Sequence, residues 1–377
     1  MNLDELLRTF EEDKRILTIS DRLSMSDAVC IPTPPPLHLS GLTGSSREWV
    51  FTAFINQPEC AKWNHLIVLR DAEEAAYFHN NIENISRAMD VFYFPSSFKH
   101  QKNFSVLNMS HVMLRAEALS RISRGGNKKI VVTYPEALHE KVVLPNLLNE
   151  HIITFKKGES IDLDHILERF INFGFVRTDF VYEPGEIALR GGILDVYSFG
   201  NEKPYRIELF GEEVDSIRIF DPQSQISERA LTEVNILPNV DTQFGTEEKV
   251  SLLSFMPENT VVWIEEWQFI KDRIQKHALD FEQFQSADEV MVTEEESDEE
   301  RRDFVEEDFV SADMLEQQIQ ERYLVEFGTK KHFASVNEVV FHTEAQPAFN
   351  RQFTMLIDNL KSYEARQYAL YIFAENP

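Results

Sequence analysis

The sequence is poor in cysteine, in long apolar runs and in basic charge. Only Cys30 and Cys60 occur in 377 residues, far apart and without a CxxC, which excludes a disulfide framework and predicts reduced thiols in a reducing compartment. The 11 histidines form neither HExxH nor a Cys/His ligand spacing, so no metal and no cofactor is expected. No GxSxG elbow supports a serine hydrolase. No run approaches the roughly 18 apolar residues of a membrane span, and Asn2–Arg15 is too charged for a secretory leader. The expectation is a soluble, cytoplasmic protein. Against 64 acidic side chains stand 37 basic ones, a formal charge of −27, which argues against the whole chain as a nucleic-acid clamp and leaves only a local basic site. What is present is a globular composition, 43% hydrophobic and 11% aromatic, long enough for two or three domains.

Along the chain, strand and helix patterns alternate. Leu3–Ile16 reads as one amphipathic helix, Val29–Ile31 as a short strand, and Pro32–Pro36 as extended loop. Leu39–Glu48 sits where a strand should turn into a helix beginning near Arg47, and its register fits G-x-x-x-x-G-K-[ST] around Gly41 and Gly44. The positions that matter fail: Ser46, Arg47 and Glu48 stand where a phosphate loop needs its second glycine, its lysine and its magnesium-binding hydroxyl. His65–Leu69, Val91–Phe94 and Lys129–Thr133 read as strands, and Ala72–Ile85 and Ser110–Ser123 as helices. Tyr134–Leu138 lacks the paired acids of a magnesium site. Phe98, Lys99, His100 and Lys102 read as a solvated loop, and Glu265-Glu266 as solvated helix-start residues rather than a metal pair.

After Val143 the pattern changes. Ile152–Lys157 reads as a strand and Ile161–Phe173 as a helix, capped by Ser160 and closed by Gly174, with Ile161, Leu163, Ile166, Leu167, Phe170 and Ile171 as its apolar side. Four strands, Val176–Tyr182, Ile187–Arg190, Tyr205–Phe210 and Val214–Phe220, follow between tight turns as an antiparallel meander. Strict alternation puts Arg177, Arg190, Arg206 and Glu208 on one face. From pattern alone that face is plain solvated surface; the helix covers the other one.

Beyond it, Val250–Leu253, Val261–Trp263, Leu324–Phe327 and Val339–Phe341 read as strands. Phe269–Phe281, Met314–Tyr323 and Asn350–Ser362 read as helices, the last with Phe353, Leu356, Ile357 and Leu360 at core spacing. Ala369–Phe373 reads as a final strand. The acidic run 288–308 should stay loose through self-repulsion.

Within the meander, Tyr182-Glu183-x-Gly185-Glu186, Arg190-Gly191-Gly192-Ile193-Leu194-Asp195, Arg206–Phe210, Glu213-x-Asp215-Ser216-Ile217-Arg218 and Phe220-Asp221 resemble the inserted domain shared by UvrB and the N-terminal part of the transcription-repair coupling factors (Mfd). The resemblance implies an α/β fold: a degenerate RecA/P-loop-like ATPase lobe with an inserted α+β domain. It implies that Arg177, Arg190, Arg206 and Glu208 bind the damage-recognition ATPase UvrA. Ala188 departs from UvrB, which has an arginine there. The decayed loop of Gly41, Gly44, Ser46, Arg47 and Glu48 favours the coupling-factor relatives, and no tyrosine-rich hairpin of the UvrB kind is evident. The implied organisation is residues 1–142 and 229–366 as the lobe, 143–228 as the insert, and 367–377 as the start of a further subdomain. The expected function is a non-catalytic module that recruits UvrA in nucleotide excision repair. In a longer parent, other domains would engage RNA polymerase and translocate on DNA with ATP. The alternative is a UvrB-like ATP-dependent damage-binding helicase subunit.

Overall fold

The computed structural model describes residues 3–25, 35–86, 88, 90–100, 103–240, 244–286, 304–334 and 337–372. The N-terminal helical pattern divides in two, α1 (Leu3–Glu11) and α2 (Lys14–Met25). The break has a local cause: the Asp13 carboxylate accepts the Arg15 N–H at 2.8 Å and starts a second helix, so Ile16 belongs to α2. The expected strand Val29–Ile31 lies outside the described residues. Next come β1 (Leu37–Ser40), α3 (Ser46–Ile55), β2 (Asn64–Val68), α4 (Ala72–Ile85) and β3 (Val91–Tyr93). Asp71 caps α4 by accepting the Glu74 N–H.

Residues 98–107 form a short hairpin, β4 (Phe98–His100) with β5 (Asn103–Leu107), rather than the solvated loop expected of Phe98, Lys99 and His100. Burial explains the difference. Phe98 and Phe104 pack with Phe281, Phe304 and Phe309 in an aromatic cluster, and Phe98 lies 4.7 Å from Phe304 between ring centroids. Lys102 lies outside the described residues. The first part of the chain ends with α5 (Met109–Ser123), β6 (Ile130–Thr133), α6 (Pro135–His139), β7 (Val142–Val143) and α7 (Pro145–His151).

The insert contains β8 (Ile153–Lys156), α8 (Leu163–Asn172), β9 (Val176–Arg177), β10 (Glu186–Arg190), β11 (Ile193–Val196), β12 (Tyr205–Phe210), β13 (Glu213–Phe220), β14 (Ser227–Leu231) and β15 (Glu233–Ile236). Six strands order as β14-β13-β12-β11-β10-β9, while β8 and β15 pair separately. The expected four-strand meander is larger because Gly191, at φ +60°, turns the chain from β10 into a strand the alternation did not separate, β11. Conversely, Val176–Tyr182 contributes only β9, which runs parallel to β10.

Asp162, not Ser160, caps α8, its carboxylate accepting the His165 N–H. The helix starts late because Glu159 and Ile161 are bonded to the β12–β13 turn: Val214 N–H donates to the Glu159 carbonyl and Ile161 N–H to that of Glu212. Ile166 and Phe170 pack on Ile187, Leu194, Val196, Ile207 and Ile217, the apolar face of the sheet. Ile171, expected on that side, is exposed.

The chain then returns through β16 (Lys249–Val250), α9 (Leu252–Phe255), β17 (Thr260–Glu265), α10 (Trp267–Gln285), α11 (Ala312–Gln320), β18 (Tyr323–Phe327), β19 (Asn337–Val340) and α12 (Phe353–Ala365). Ser251 caps α9, so the strand expected over Val250–Leu253 stops after two residues. Seven strands from both ends of the chain form one parallel sheet, order β19-β1-β18-β17-β2-β6-β3. Every residue of β2, β6 and β17 is buried, as a sheet covered on both faces requires.

The centre of the acidic run lies outside the described residues. Its end is packed: Asp308 is buried and pairs with Lys249 at 3.2 Å. The core spacing read in α12 is not used, since none of its side chains is buried. Residues 369–372 join no strand. Among the described residues no helix is long and apolar enough to cross a membrane.

Candidate functional site: the arginine face of the insert

Strand register decides which side chains share a face. Ala188, Asp195, Arg206 and Arg218 align across β10 to β13 in one row, and Arg190, Ile193, Glu208 and Ser216 in the next. Arg190, Arg206 and Glu208 therefore lie together, joined by Asp195 and Arg218, which alternation alone had given no role. Arg177 does not join them. It aligns with Ile187, one residue out of step with Ala188 and Arg190, and so projects to the opposite side at the exposed edge. The pattern count failed because the chain leaves the ladder after Arg177, and parity does not carry across an irregular segment.

Asp195 is fully buried between two arginines. Arg206 meets it bidentately, Nε to Oδ1 at 2.8 Å and Nη2 to Oδ2 at 2.9 Å, and donates through Nη1 to the Gln225 carbonyl at 3.0 Å. Its guanidinium lies 4.4 Å from the centre of the Phe220 ring. Donating to the Asp195 carboxylate raises the Arg206 pKa above its ordinary value. Arg190 donates through Nη2 to the same Oδ2 that accepts Arg206 Nη2, donates through Nη1 to the Asp179 carbonyl at 2.5 Å, and sits 4.5 Å from the Phe180 ring centre. Glu208 accepts the Ser216 hydroxyl at 2.7 Å and lies 3.4 Å from Arg218.

The face is not free in the manner the alternation implied. Val181, Ala188, Tyr197 and Phe220 form a small buried apolar group on it, and Gln225 ties the segment to the turn after β13 by donating to the Val181 carbonyl at 3.0 Å. Arg206 is only 15% exposed in its side chain, whereas Arg190 and Arg218 are 33% and 43% exposed. The planar fork of Arg206 is thus already spent on Asp195. The donors left facing solvent belong mainly to Arg190 and Arg218.

The second candidate lies at the carboxyl end of β1, where open parallel sheets bind ligands. Gly41 and Gly44 have φ of +73° and +55°. The Ser46 hydroxyl donates to the Thr43 carbonyl, and the Thr43 N–H donates to Thr343 Oγ1 at 2.8 Å. Arg47 Nη1 pairs with Glu265 Oε2 at 2.6 Å and lies 3.9 Å from Glu74, which Arg70 also holds. Glu265 at the end of β17 is therefore a buried ion-pair member, not the solvated residue expected. Burial, assisted by Glu74, lifts its pKa from 4.5 to about 7 despite the two arginines. Burial also pulls Glu74 upward, but Arg70 and Arg47 outweigh it and hold Glu74 below its ordinary value. Glu48 is buried and accepts from Asn81. Glu266 accepts the N–H and hydroxyl of Thr329. Among the described residues no group of three or more His, Cys, Asp and Glu is placed to hold a metal ion.

Residues 153–241 match the family model described as the UvrB interaction domain. This chain carries a UvrB interaction domain. It is also similar to named transcription-repair-coupling factors. That of Bacillus subtilis (strain 168) is 30% identical over 213 residues, 56% of this chain and 18% of the relative. Those of Staphylococcus aureus (strain USA300) and Staphylococcus haemolyticus (strain JCSC1435) are 28% and 33% identical over 212 and 172 residues, 56% and 45% of this chain. The chain spans less than a fifth of the length of these relatives, 18%, 18% and 14%. The UvrB interaction domain includes all the strands that carry Arg177, Arg190, Arg206 and Glu208.

Proposed function

We propose that the chain is a non-catalytic interaction module that recruits UvrA in transcription-coupled nucleotide excision repair, with the arginine face of its UvrB interaction domain as the docking surface. The observation that carries this reading is electrostatic. Arg190, Arg206 and Arg218 balance Asp195, Glu208 and Glu186 on this patch, and the guanidinium donors left exposed there belong to Arg190 and Arg218, on a chain with a formal charge of −27. Such a spot favours a partner surface bearing carboxylates and fixes its register more than it adds raw affinity. Arg190 supplies the planar donors that match a carboxylate, and Arg218 and Glu208 a mixed-sign rim. Arg177, on the other side of the edge strand, contacts UvrA only if the partner wraps that edge.

In this reading the parallel-sheet lobe on either side of the insert has a phosphate loop, at Gly41, Gly44, Ser46, Arg47 and Glu48, that has lost nucleotide chemistry. Two features support it: Arg47 is drawn to Glu265 and Glu74, and the Thr43 N–H is turned to Thr343. RNA polymerase and DNA are partners of a longer parent protein, through domains beyond this lobe and insert.

Calorimetric titration of UvrA into the chain tests the proposal, with Arg190→Ala and Arg218→Ala alongside. The expected result is binding that Arg190→Ala weakens by about 2–5 kcal/mol, and Arg218→Ala by less, because a partner-buried charge matters more than a rim charge. Binding indifferent to both substitutions would refute the docking assignment. Heat stabilisation by ATP and magnesium would refute the nucleotide-free lobe.

A further inference from the structure

Arginine side chains on an open sheet ordinarily sample many rotamers, and ordering them on binding costs affinity. Two of those on this face are already ordered, and the residue that orders both is buried. Asp195 shows no exposed surface, yet it receives Arg206 through two hydrogen bonds of 2.8 and 2.9 Å and Arg190 through a third. Each guanidinium also rests on a ring, Arg206 on Phe220 at 4.4 Å and Arg190 on Phe180 at 4.5 Å. Phe220 is buried, whereas Phe180 is 47% exposed.

We propose that Asp195 is the positioning residue of the docking face: with Arg206 as its fixed brace and Phe180 as the platform, it holds Arg190 with its remaining donors toward a carboxylate of the partner. The proposal rests on the UvrA-docking reading above. It divides labour between two arginines that look equivalent in sequence. Arg206 spends both edges internally, on Asp195 and on the Gln225 carbonyl. Arg190 uses Nη1 and Nη2 once each and keeps Nε and the outer hydrogens. The shared carboxylate also cancels one of the two positive charges, which reduces the repulsion between the two guanidinium groups. Asp195 lies in the row next to Arg190, and only the turn at Gly191-Gly192 brings the two strands together at that spacing.

The test is UvrA binding to the whole chain by calorimetry for wild type, Asp195→Asn, Arg190→Ala, Phe180→Ala and the double variants Asp195→Asn/Arg190→Ala and Phe180→Ala/Arg190→Ala, with circular dichroism confirming folding. Asparagine keeps the size but loses the charge and one acceptor. Asp195→Asn is expected to weaken binding about tenfold in the wild-type background and less than about twofold in the Arg190→Ala background. A merely structural role would give the same loss in both backgrounds, and that result overturns the proposal. If Asp195→Asn does not fold, the exposed Phe180 decides. Phe180→Ala is expected to weaken binding about threefold only while Arg190 is present, and equal losses with and without Arg190, or none, overturn the proposal. Wild type that fails to bind UvrA defeats the docking reading itself. Wild-type binding lost in Arg190→Ala but kept in folded Asp195→Asn defeats only the positioning role.

Discussion

Replacing Glu265 by glutamine should make the chain relatively more stable the higher the pH. Glu265 sits at the end of β17 against Arg47, with Arg70 and Glu74 completing the group. Burial and the neighbouring Glu74 carry its folded-state pKa from 4.5 to about 7. The folded chain therefore holds a proton that the unfolded chain has already released. The resulting stability is fully present below about pH 4.5, declines as pH rises, and is gone above about pH 7. At about 1.4 kcal/mol per pH unit the displacement is worth about 3 kcal/mol, most of it between pH 5 and 8. Glu74 acts with the opposite sign, since its pKa is lowered, but over a range below 4.5. Urea unfolding of wild type and Glu265→Gln at pH 5, 6, 7 and 8 isolates the effect, because other titrating groups are common to both. The stability of Glu265→Gln relative to wild type should rise by about 2–3 kcal/mol across that range. A difference that stays constant, or falls, would show that the arginines keep Glu265 ionised throughout and that burial does not prevail.

Three further outcomes follow from the packing. Alanine at Gly41 would place its Cβ 1.8 Å from the Phe341 carbonyl oxygen at a φ of +73°. Gly41→Ala should cost about 2–4 kcal/mol and speed hydrogen exchange of the Phe341 N–H, which donates to the Ser40 carbonyl. Arg115 is fully buried, donates to the Pro95 carbonyl at 3.0 Å and lies 3.4 Å from Glu140. Arg115→Met should cost about 3–5 kcal/mol in urea unfolding, and adding Glu140→Gln should recover part of it. Asp162→Ala should cost about 1 kcal/mol through loss of the α8 cap, while Ser160→Ala should leave the unfolding midpoint unchanged, since Asp162 makes the capping bond.

Much of this architecture was legible in the residues. The helix over Ala72–Ile85 and the buried strands near His65, Ile130 and Val262 are local features, set by apolar spacing and by caps a few residues away. The meander was legible because strands and glycine turns repeat over a short span. Its arginine face was read correctly for Arg190, Arg206 and Glu208, where regular strands preserve parity. It failed for Arg177, where they do not. Asp195 stood in the quoted motif with no assigned role. The signal available was its parity with Arg206 across β11 and β12, a register that depends on pairing rather than on either strand alone.

The sequence by itself determined most of the strands and helices, the presence of a distinct insert between the two halves of a parallel lobe, and the type of residue on the arginine face. Each of these depends on neighbours within a few residues, where propensity and periodicity act directly. Tertiary structure alone decided what the charges do. Arg47 meets Glu265 across 218 positions, Arg206 is committed to Asp195, and Phe98 is buried by Phe281, Phe304 and Phe309 instead of lying in water. Whether an arginine is a free donor, a brace or half of a buried pair depends on the nearest opposite charge in space and on how much water is excluded there. Neither quantity is defined until the chain has folded.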